Sequence, residues 1–423
     1  MQFTRFWQNP RLALVGGLVF LFISLTFWSA KAHKRADRQA FQQQGNVVAV
    51  PISVSAAPQE KKRQMYQNFF VACLVVSLVA LSLLLAHFFP GTSSAKVSMA
   101  SVAPVAQRKF QTGIIYPRWQ TNAYGTSDTA WQEGIKTIKA QTDAHWIEMP
   151  VLFSQSNSAS TTVQPSQSAP GVKDFISGIR AAHALGYRVF FVPLMQVQQP
   201  GGWSGSIQTP SSQQQAWFDS YWHALQPYAQ AAADNGVEQM AIGTELQWLQ
   251  QHTSSSLWNQ LITRERGIFN NTLTYDMNWS SLALPLPDWL KNPQLAMIGV
   301  SSYIPLLATP QRLDPQEMPA LWNEKVKSKL DALASQIGKS VLITEIGYRN
   351  STDALYHTWE ATTTAPSDPQ EQAGAYNAAL SNTWNDPQIA GTFFWGWDGV
   401  GRFAIKKQPA TQVLHKWYST AQS

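Results

Sequence analysis

A repeated pattern between residue 112 and the C-terminus most strongly limits the possible folds. Short apolar runs alternate there with longer amphipathic stretches of helical spacing. Strands that are apolar along their whole length are buried on both faces, as in a parallel sheet whose connections are helices. The eight predicted strands are Gly113–Pro117, Trp146–Phe153, Arg188–Met195, Gln239–Glu245, Leu273–Trp279, Met297–Tyr303, Ser340–Ile346 and Gly391–Trp397. Eight strand–helix units predict a (β/α)8 TIM barrel of the α/β class.

An open, doubly wound α/β sheet is the alternative, but no Gly-x-Gly-x-x-Gly motif follows the first predicted strand. The longest polar insertions follow the second and third predicted strands, at Ser154–Pro170 and Gln196–Gln214. In a barrel both would lie on the face at the carboxyl ends of the strands, where active sites of this fold are built. These loops are therefore candidates for substrate contact, although their composition also fits ordinary solvated loops.

Two apolar segments near the N-terminus are long enough to cross a membrane. Leu12–Ala30 has no charge in 19 residues, and Phe69–Phe89 has no Lys, Arg, Asp or Glu in 21, with His87 as its one basic side chain. At about 1.5 Å per residue, each would span roughly 30 Å of hydrocarbon. Seven Lys and Arg residues between them predict that the connecting loop is cytoplasmic.

This pattern predicts a membrane anchor over residues 1–90, with helices at 12–30 and 69–89, then a linker over 91–111. The domain over 112–423 is expected on the extracytoplasmic side of the cell membrane. For the first segment, a cleaved signal peptide is the alternative, because Trp28-Ser29-Ala30-Lys31-Ala32 loosely resembles a cleavage site. The second segment would still be an anchor in that case.

Charge and cysteine content exclude several classes of function. Residues 1–110 carry 12 Lys or Arg and 2 Asp or Glu, whereas residues 111–423 carry 19 and 23. A net acidic domain does not present the basic face that nucleic-acid binding needs. The single cysteine, Cys73, excludes a disulfide framework, and no His-x-x-x-His pair indicates a metal. We expect neither a cofactor nor a metal; the sequence does not identify a protein partner.

Two glutamates are the strongest candidates for catalysis. Glu245 ends the fourth predicted strand after Ala241-Ile242-Gly243-Thr244, and Glu345 ends the seventh after Leu342-Ile343-Thr344. A carboxyl group at the end of a buried strand must be hydrogen-bonded or paired. Two carboxyls that face each other across a barrel mouth are what a glycosidase requires, although two structural glutamates in separate ion pairs fit the spacing equally well.

The domain resembles glycoside hydrolase family 113, a clan-A group of (β/α)8 retaining enzymes whose activity is mainly endo-β-1,4-mannanase. The resemblance covers about residues 112–400. Its most specific motifs are Ile242-Gly243-Thr244-Glu245-Leu246, Asn278-Trp279, Tyr303-Ile304-Pro305-Leu306, Thr344-Glu345-Ile346-Gly347-Tyr348-Arg349 and Phe394-Trp395-Gly396-Trp397.

The resemblance implies that Glu245 is the general acid/base, Glu345 the nucleophile, and Tyr303 the hydroxyl donor that keeps Glu345 ionised. In a retaining mechanism Glu245 needs a raised pKa and Glu345 must stay ionised. Tryptophans at strand ends or in the loops beyond suit the C–H faces of sugar rings. The expected sugar contacts are Asn278, Trp119, Trp203, Trp248, Trp395 and Trp397. Trp279 is a further tryptophan at the end of a predicted strand.

One part of the family pattern is missing. The third strand commonly ends Lys-Pro-His in the family, with a Trp-Arg pair in the loop beyond. This chain instead reads Val192-Pro193-Leu194-Met195-Gln196 at the strand end and Trp203-Ser204 in the loop. The wall of the sugar site therefore differs. The predicted function is a membrane-anchored retaining glycoside hydrolase acting on a β-linked, mannan-type polysaccharide. The alternatives are a non-catalytic glycan-binding barrel and an exopolysaccharide-processing component of an export system.

Overall fold

The computed structural model describes residues 110–420, and the two predicted membrane segments lie outside this range. Eight parallel strands dominate the described chain. They are β1 (Gln111–Ile115), β2 (Trp146–Gln155), β3 (Arg188–Val197), β4 (Gln239–Thr244), β5 (Thr272–Asn278), β6 (Ile298–Ser301), β7 (Val341–Ile346) and β8 (Ile389–Trp395). Each strand pairs with its neighbours in chain order, and β8 pairs with β1, so the sheet closes into a barrel. The predicted (β/α)8 architecture is confirmed.

Helices connect the strands on the outside of the barrel. They are α1 (Thr129–Thr142), α2 (Val172–Ala184), α3 (Gln214–Asp234), α4 (Gln247–His252), α5 (Ser255–Arg266), α6 (Met318–Trp322), α7 (Ser328–Ile337), α8 (Pro369–Thr383) and α9 (Pro409–Tyr418). A π-helical turn, Asn323–Lys327, joins α6 to α7. Within residues 110–420 no helix combines the length and the apolarity needed to cross a bilayer.

Local sequence explains where two of the helices, α1 and α8, begin. Asp128 accepts a hydrogen bond from the backbone of Trp131 at the start of α1. Asp368 caps α8 in the same way, and Pro369 follows at the first helical position. A capping carboxylate satisfies backbone N–H groups that a helix start leaves open, and proline loses nothing there.

A small apolar cluster fills the middle of the barrel. It contains residues on or next to every strand except β5, namely Ile115, Trp146, Phe190, Val192, Ala241, Met297, Leu342, Ala390 and Phe393. Gly113 is required beside this cluster, because a Cβ atom there would lie 2.2 Å from the Phe393 ring. The middle of the barrel is therefore a packed core rather than a pore.

Candidate active site

The carboxyl ends of the strands surround a cavity of about 710 Å³. Glu245 and Glu345 both line it, so the structure brings the two predicted glutamates together. Of the other predicted residues, Tyr303, Asn278, Trp119, Trp203 and Trp395 line the same cavity. The remaining lining residues are Trp279, Ser280, Trp359, Ala361, Gly399, Val400 and Phe403.

Glu245 follows the last residue of β4 in an unusual backbone conformation. Its φ is +54°, in the left-handed region that non-glycine residues seldom occupy. The ladder between β4 and β5 shifts register between Ala241 and Thr244, and the Glu245 N–H donates to the Asp276 carbonyl at 2.9 Å. Left-handed residues and strand irregularities are concentrated at functional sites, where they re-aim a side chain.

Both carboxylate oxygens of Glu245 accept hydrogen bonds. Asn278, the last residue of β5, donates from Nδ2 to Oε1 at 2.7 Å. Trp203, in the loop after β3, donates from Nε1 to Oε2 at 3.1 Å. The Asn278 amide is itself fixed, because its oxygen accepts from the backbone and the hydroxyl of Ser280. Donors on both oxygens stabilise the ionised form of a carboxyl group.

Glu345 lies near the end of β7 and has one strong side-chain donor. The Tyr303 hydroxyl donates to its Oε1 at 2.6 Å, which is the contact that the family resemblance implies. Tyr303 follows β6 and is 8% exposed, so its ring is held by packing. The Ser302 N–H also donates to the Glu345 carbonyl at 2.6 Å, which ties the two strand ends together.

The pKa values of the two glutamates are both raised. Burial raises the pKa of Glu345 to about 8, and the charge of Glu245 adds to this, while the Tyr303 hydrogen bond opposes it. Burial also raises the pKa of Glu245, against the hydrogen bonds from Trp203 and Asn278. The Tyr303 hydrogen bond thus favours the ionised form of Glu345, in the direction that the family resemblance implies, and burial is the larger contribution. Because the charge of Glu245 raises the pKa of Glu345, the two carboxyl groups do not titrate independently.

Two further carboxyl groups lie in the barrel beneath this pair. Asp276, on β5, accepts hydrogen bonds from the hydroxyls of Ser301 and Thr344, and burial raises its pKa to about 8. Burial, with the charges of Glu345 and Asp276, also raises the pKa of Glu148 on β2. No Lys, Arg or His is among the described residues that line the cavity. The site is therefore acidic and presents no cation to an anionic ligand.

Five tryptophans line the cavity. Trp119 and Trp203 are each 40% exposed, which is unusual for so large an apolar side chain. Trp279 stacks on Trp359 with ring centroids 5.4 Å apart, and Trp395 ends β8. Flat aromatic surfaces around a polar centre are suited to pyranose rings, whose C–H faces are apolar and whose hydroxyls need hydrogen bonds.

Trp359 is the main feature of the wall that the sequence did not indicate. It lies in the long loop after β7, and a buried arginine holds that loop in shape. The Arg349 guanidinium donates four hydrogen bonds, at 2.7–3.0 Å, to the carbonyls of Asp353, Tyr356, His357 and Glu360. The aromatic run around Tyr356 and Trp359, in an otherwise polar loop, is the signal that could have identified it.

Two predicted sugar contacts, Trp397 and Trp248, do not line the cavity. The Trp397 side chain is fully buried and does not line the cavity, because the chain turns after β8 and the backbone of Trp397 bonds to Ile115, Ile405 and Lys406. Trp248 lies on α4, where its ring stacks on His252 with centroids 4.5 Å apart. The structure therefore does not place Trp248 and Trp397 with the other predicted sugar contacts.

The arrangement can protonate one oxygen while a second carboxylate attacks a neighbouring carbon. Within residues 110–420, no three His, Cys, Asp or Glu side chains are grouped so as to hold a metal ion. A closed (β/α)8 barrel that presents two carboxyl groups, from β4 and β7, to one cleft walled by tryptophan defines the class of protein as a glycoside hydrolase.

The chain belongs to glycoside hydrolase family 113, whose family model matches residues 116–417. This confirms the family resemblance and makes the protein a glycosidase. Among solved structures, a GH113 β-1,4-mannanase is similar with a TM-score of 0.64 and 19% identity, over 74% of this chain and 99% of that chain. The GH113 β-mannanase AaManA from Alicyclobacillus acidocaldarius, in complex with ManMIm, is similar with a TM-score of 0.63 and 20% identity, over 74% and 98%. Likeness at these identities shows a shared fold. A search of curated proteins found no match.

Proposed function

We propose that this chain is a retaining glycoside hydrolase of β-linked, mannan-type polysaccharide, with Glu245 as acid/base and Glu345 as nucleophile. The observation that carries the proposal is that the two glutamates line one cavity with different partners. Glu345 accepts a 2.6 Å hydrogen bond from Tyr303, while Glu245 bonds to Asn278 and Trp203. Two carboxyls in unlike surroundings suit the unlike roles of nucleophile and acid/base.

The reaction has two balanced steps. In the first, the Glu345 carboxylate bonds to the anomeric carbon, the glycosidic C–O bond breaks, and the Glu245 proton passes to the leaving oxygen. In the second, Glu245 takes a proton from water, the water oxygen bonds to the anomeric carbon, and the ester bond to Glu345 breaks. Once Glu345 is an ester its charge is gone, so the pKa of Glu245 falls and Glu245 can act as a base.

A neutral polysaccharide fits the charges of the cleft. The lining residues include Glu245 and Glu345 but no cationic side chain, so a uronic acid would meet repulsion without an ion pair to offset it. The solved family members that share the fold are described as β-1,4-mannanases and a β-mannanase. Both observations support mannan over a charged glycan.

A panel of polysaccharides tests the substrate proposal. Mannan and glucomannan should release reducing ends fastest, while xylan and β-glucan should react more slowly and polyuronates should not react, because the cleft offers no cation to a carboxylate. The measurement is the initial rate of reducing-end release by the full chain in detergent. Preferred cleavage of a polyuronate would contradict the proposal, and cleavage of xylan or β-glucan in preference to mannan would contradict its mannan part.

We further propose that residues 1–90 anchor the enzyme in the cell membrane and that the barrel lies on the extracytoplasmic side. The support is the pair of apolar segments, 12–30 and 69–89, with basic residues concentrated between them. Protease added to intact cells stripped of their wall should digest the barrel while a cytoplasmic marker survives. Digestion only after lysis would contradict the proposed side of the membrane.

A further inference from the structure

The two hydrogen-bond donors to Glu245 differ in how firmly they are held. Asn278 ends a barrel strand, is 8% exposed, and has its own amide oxygen bonded to Ser280. Trp203 lies in the loop between β3 and α3 and is 40% exposed. Its indole ring packs over Gly205, where an added Cβ atom would lie 2.3 Å from the ring. The amide is therefore fixed by a barrel strand, whereas the indole belongs to a half-exposed loop residue outside the barrel.

The hydrogen bond from the Trp203 indole affects whether Glu245 is protonated or ionised. With Nε1–H of Trp203 aimed at Oε2 and Nδ2–H of Asn278 aimed at Oε1, both oxygens of Glu245 are acceptors. This pattern stabilises a carboxylate, which is the form that the second step of the reaction needs. The first step needs a proton on Glu245, and a protonated Oε2 is a weaker acceptor than a carboxylate oxygen, so the indole N–H opposes protonation there.

We propose that Trp203 is a positioning residue for the acid/base: its indole N–H holds Glu245 in the carboxylate form, and release of this bond lets Glu245 take up the proton for the first step. The inference rests on the proposed function, since it assigns the two forms of Glu245 to the two steps of a retaining mechanism. The direction of the effect is consistent with the geometry, because the Trp203 hydrogen bond lowers the pKa of Glu245.

Trp203→Phe removes the N–H donor and keeps an aromatic ring over Gly205. The ionised form of Glu245 then loses one hydrogen bond, so its pKa should rise by about one pH unit. Infrared titration of the full chain measures this directly, with the Glu245 carboxyl band assigned by its loss in Glu245→Gln. Trp119→Phe is the matched control, because Trp119 is equally exposed in the same cavity and no hydrogen bond joins its indole to Glu245. This variant should leave the Glu245 titration in place.

Trp203→Phe should also shift the pH–rate profiles of two substrates, one limb in each profile. With an activated aryl β-mannoside, the second step limits kcat and needs Glu245 ionised, so the acidic limb of kcat should move up by about one pH unit. With mannan, the first step needs Glu245 protonated, so the basic limb of kcat/KM should move up by a similar amount. A purely structural role for Trp203 would lower the rates without moving either limb.

A second variant displaces the indole without removing it. Gly205→Ala places a methyl group against the Trp203 ring, so the ring must shift away from its present position. The pKa of Glu245 should rise in this variant as well. The titration needs no turnover, so it is independent of whether the parent cleaves mannan. An unchanged pKa of Glu245 in both Trp203→Phe and Gly205→Ala overturns the inference and leaves the proposed function standing.

Discussion

Glu345→Gln should lower the rate of mannan hydrolysis by about 10⁴-fold, the order of loss expected when a covalent nucleophile is removed. The amide is too weak a nucleophile to attack the anomeric carbon, but it has nearly the same shape as the carboxyl group. Its oxygen can still accept the hydrogen bond from the Tyr303 hydroxyl, so the cleft should keep its form. Binding of mannohexaose, measured by calorimetry, should therefore be largely retained.

Glu133→Gln is the matched control for this substitution. Glu133 lies on α1, its side chain is 72% exposed, and its ion pair with Lys136 is a surface contact of little energetic value. The control should hydrolyse mannan at the parental rate. Turnover by Glu345→Gln within tenfold of the parent would remove the assignment of the nucleophile. Loss of both hydrolysis and binding would point to a damaged cleft rather than a missing nucleophile.

Residue patterns along the chain were sufficient to predict the barrel and its two glutamates, for physical reasons. A strand buried on both faces must be apolar along its length, and this made the eight runs visible. Glu245 and Glu345 each place a carboxyl group at the end of such a run. Burying a carboxyl group costs free energy unless the group is hydrogen-bonded or paired, so both positions stood out. The strand ends also brought Asn278 and Tyr303 into the cavity, because parallel strands end on the same face of a barrel.

The positions of Trp397 and Trp359 and the raised pKa of Glu345 could not be predicted from the sequence. They depend on loop conformation and on the electrostatic field inside the barrel. Alternation along β8 would place Trp395 and Trp397 on one side, but the strand ends at Trp395 and the periodicity ends with it. Trp359 reaches the cavity because Arg349 holds its loop through four carbonyls, a set of contacts with no local sequence signature. The raised pKa of Glu345 depends on its burial and on the charges of Glu245 and Asp276, which are distant in sequence.

Glu245→Ala should have the second largest effect, and its size should depend on the leaving group. Mannan requires protonation of a poor leaving oxygen, so its hydrolysis should fall by about 10³-fold, within the range that general acid–base catalysis contributes. An aryl mannoside with an acidic phenol leaves without a proton, so formation of the ester at Glu345 should be much less affected. The second step then stalls, because no base remains to take the proton from water. The comparison of kcat/KM for the two substrates measures the first step in each case.

Added azide tests whether Glu245, rather than another residue, is the acid/base. Removal of the Glu245 carboxyl leaves space beside Asn278 and Trp203, and both are donors that suit a small anion. Azide needs no deprotonation, so it can bond to the anomeric carbon as the ester bond to Glu345 breaks. Added azide should raise the turnover of the aryl mannoside and yield the β-mannosyl azide. The configuration of the azide product distinguishes the two mechanisms. Displacement by Glu345 followed by displacement by azide restores the β configuration, whereas direct displacement by azide alone gives the α configuration. An α-azide would mean that Glu345 forms no ester, and the absence of any azide product would assign the acid/base to another residue.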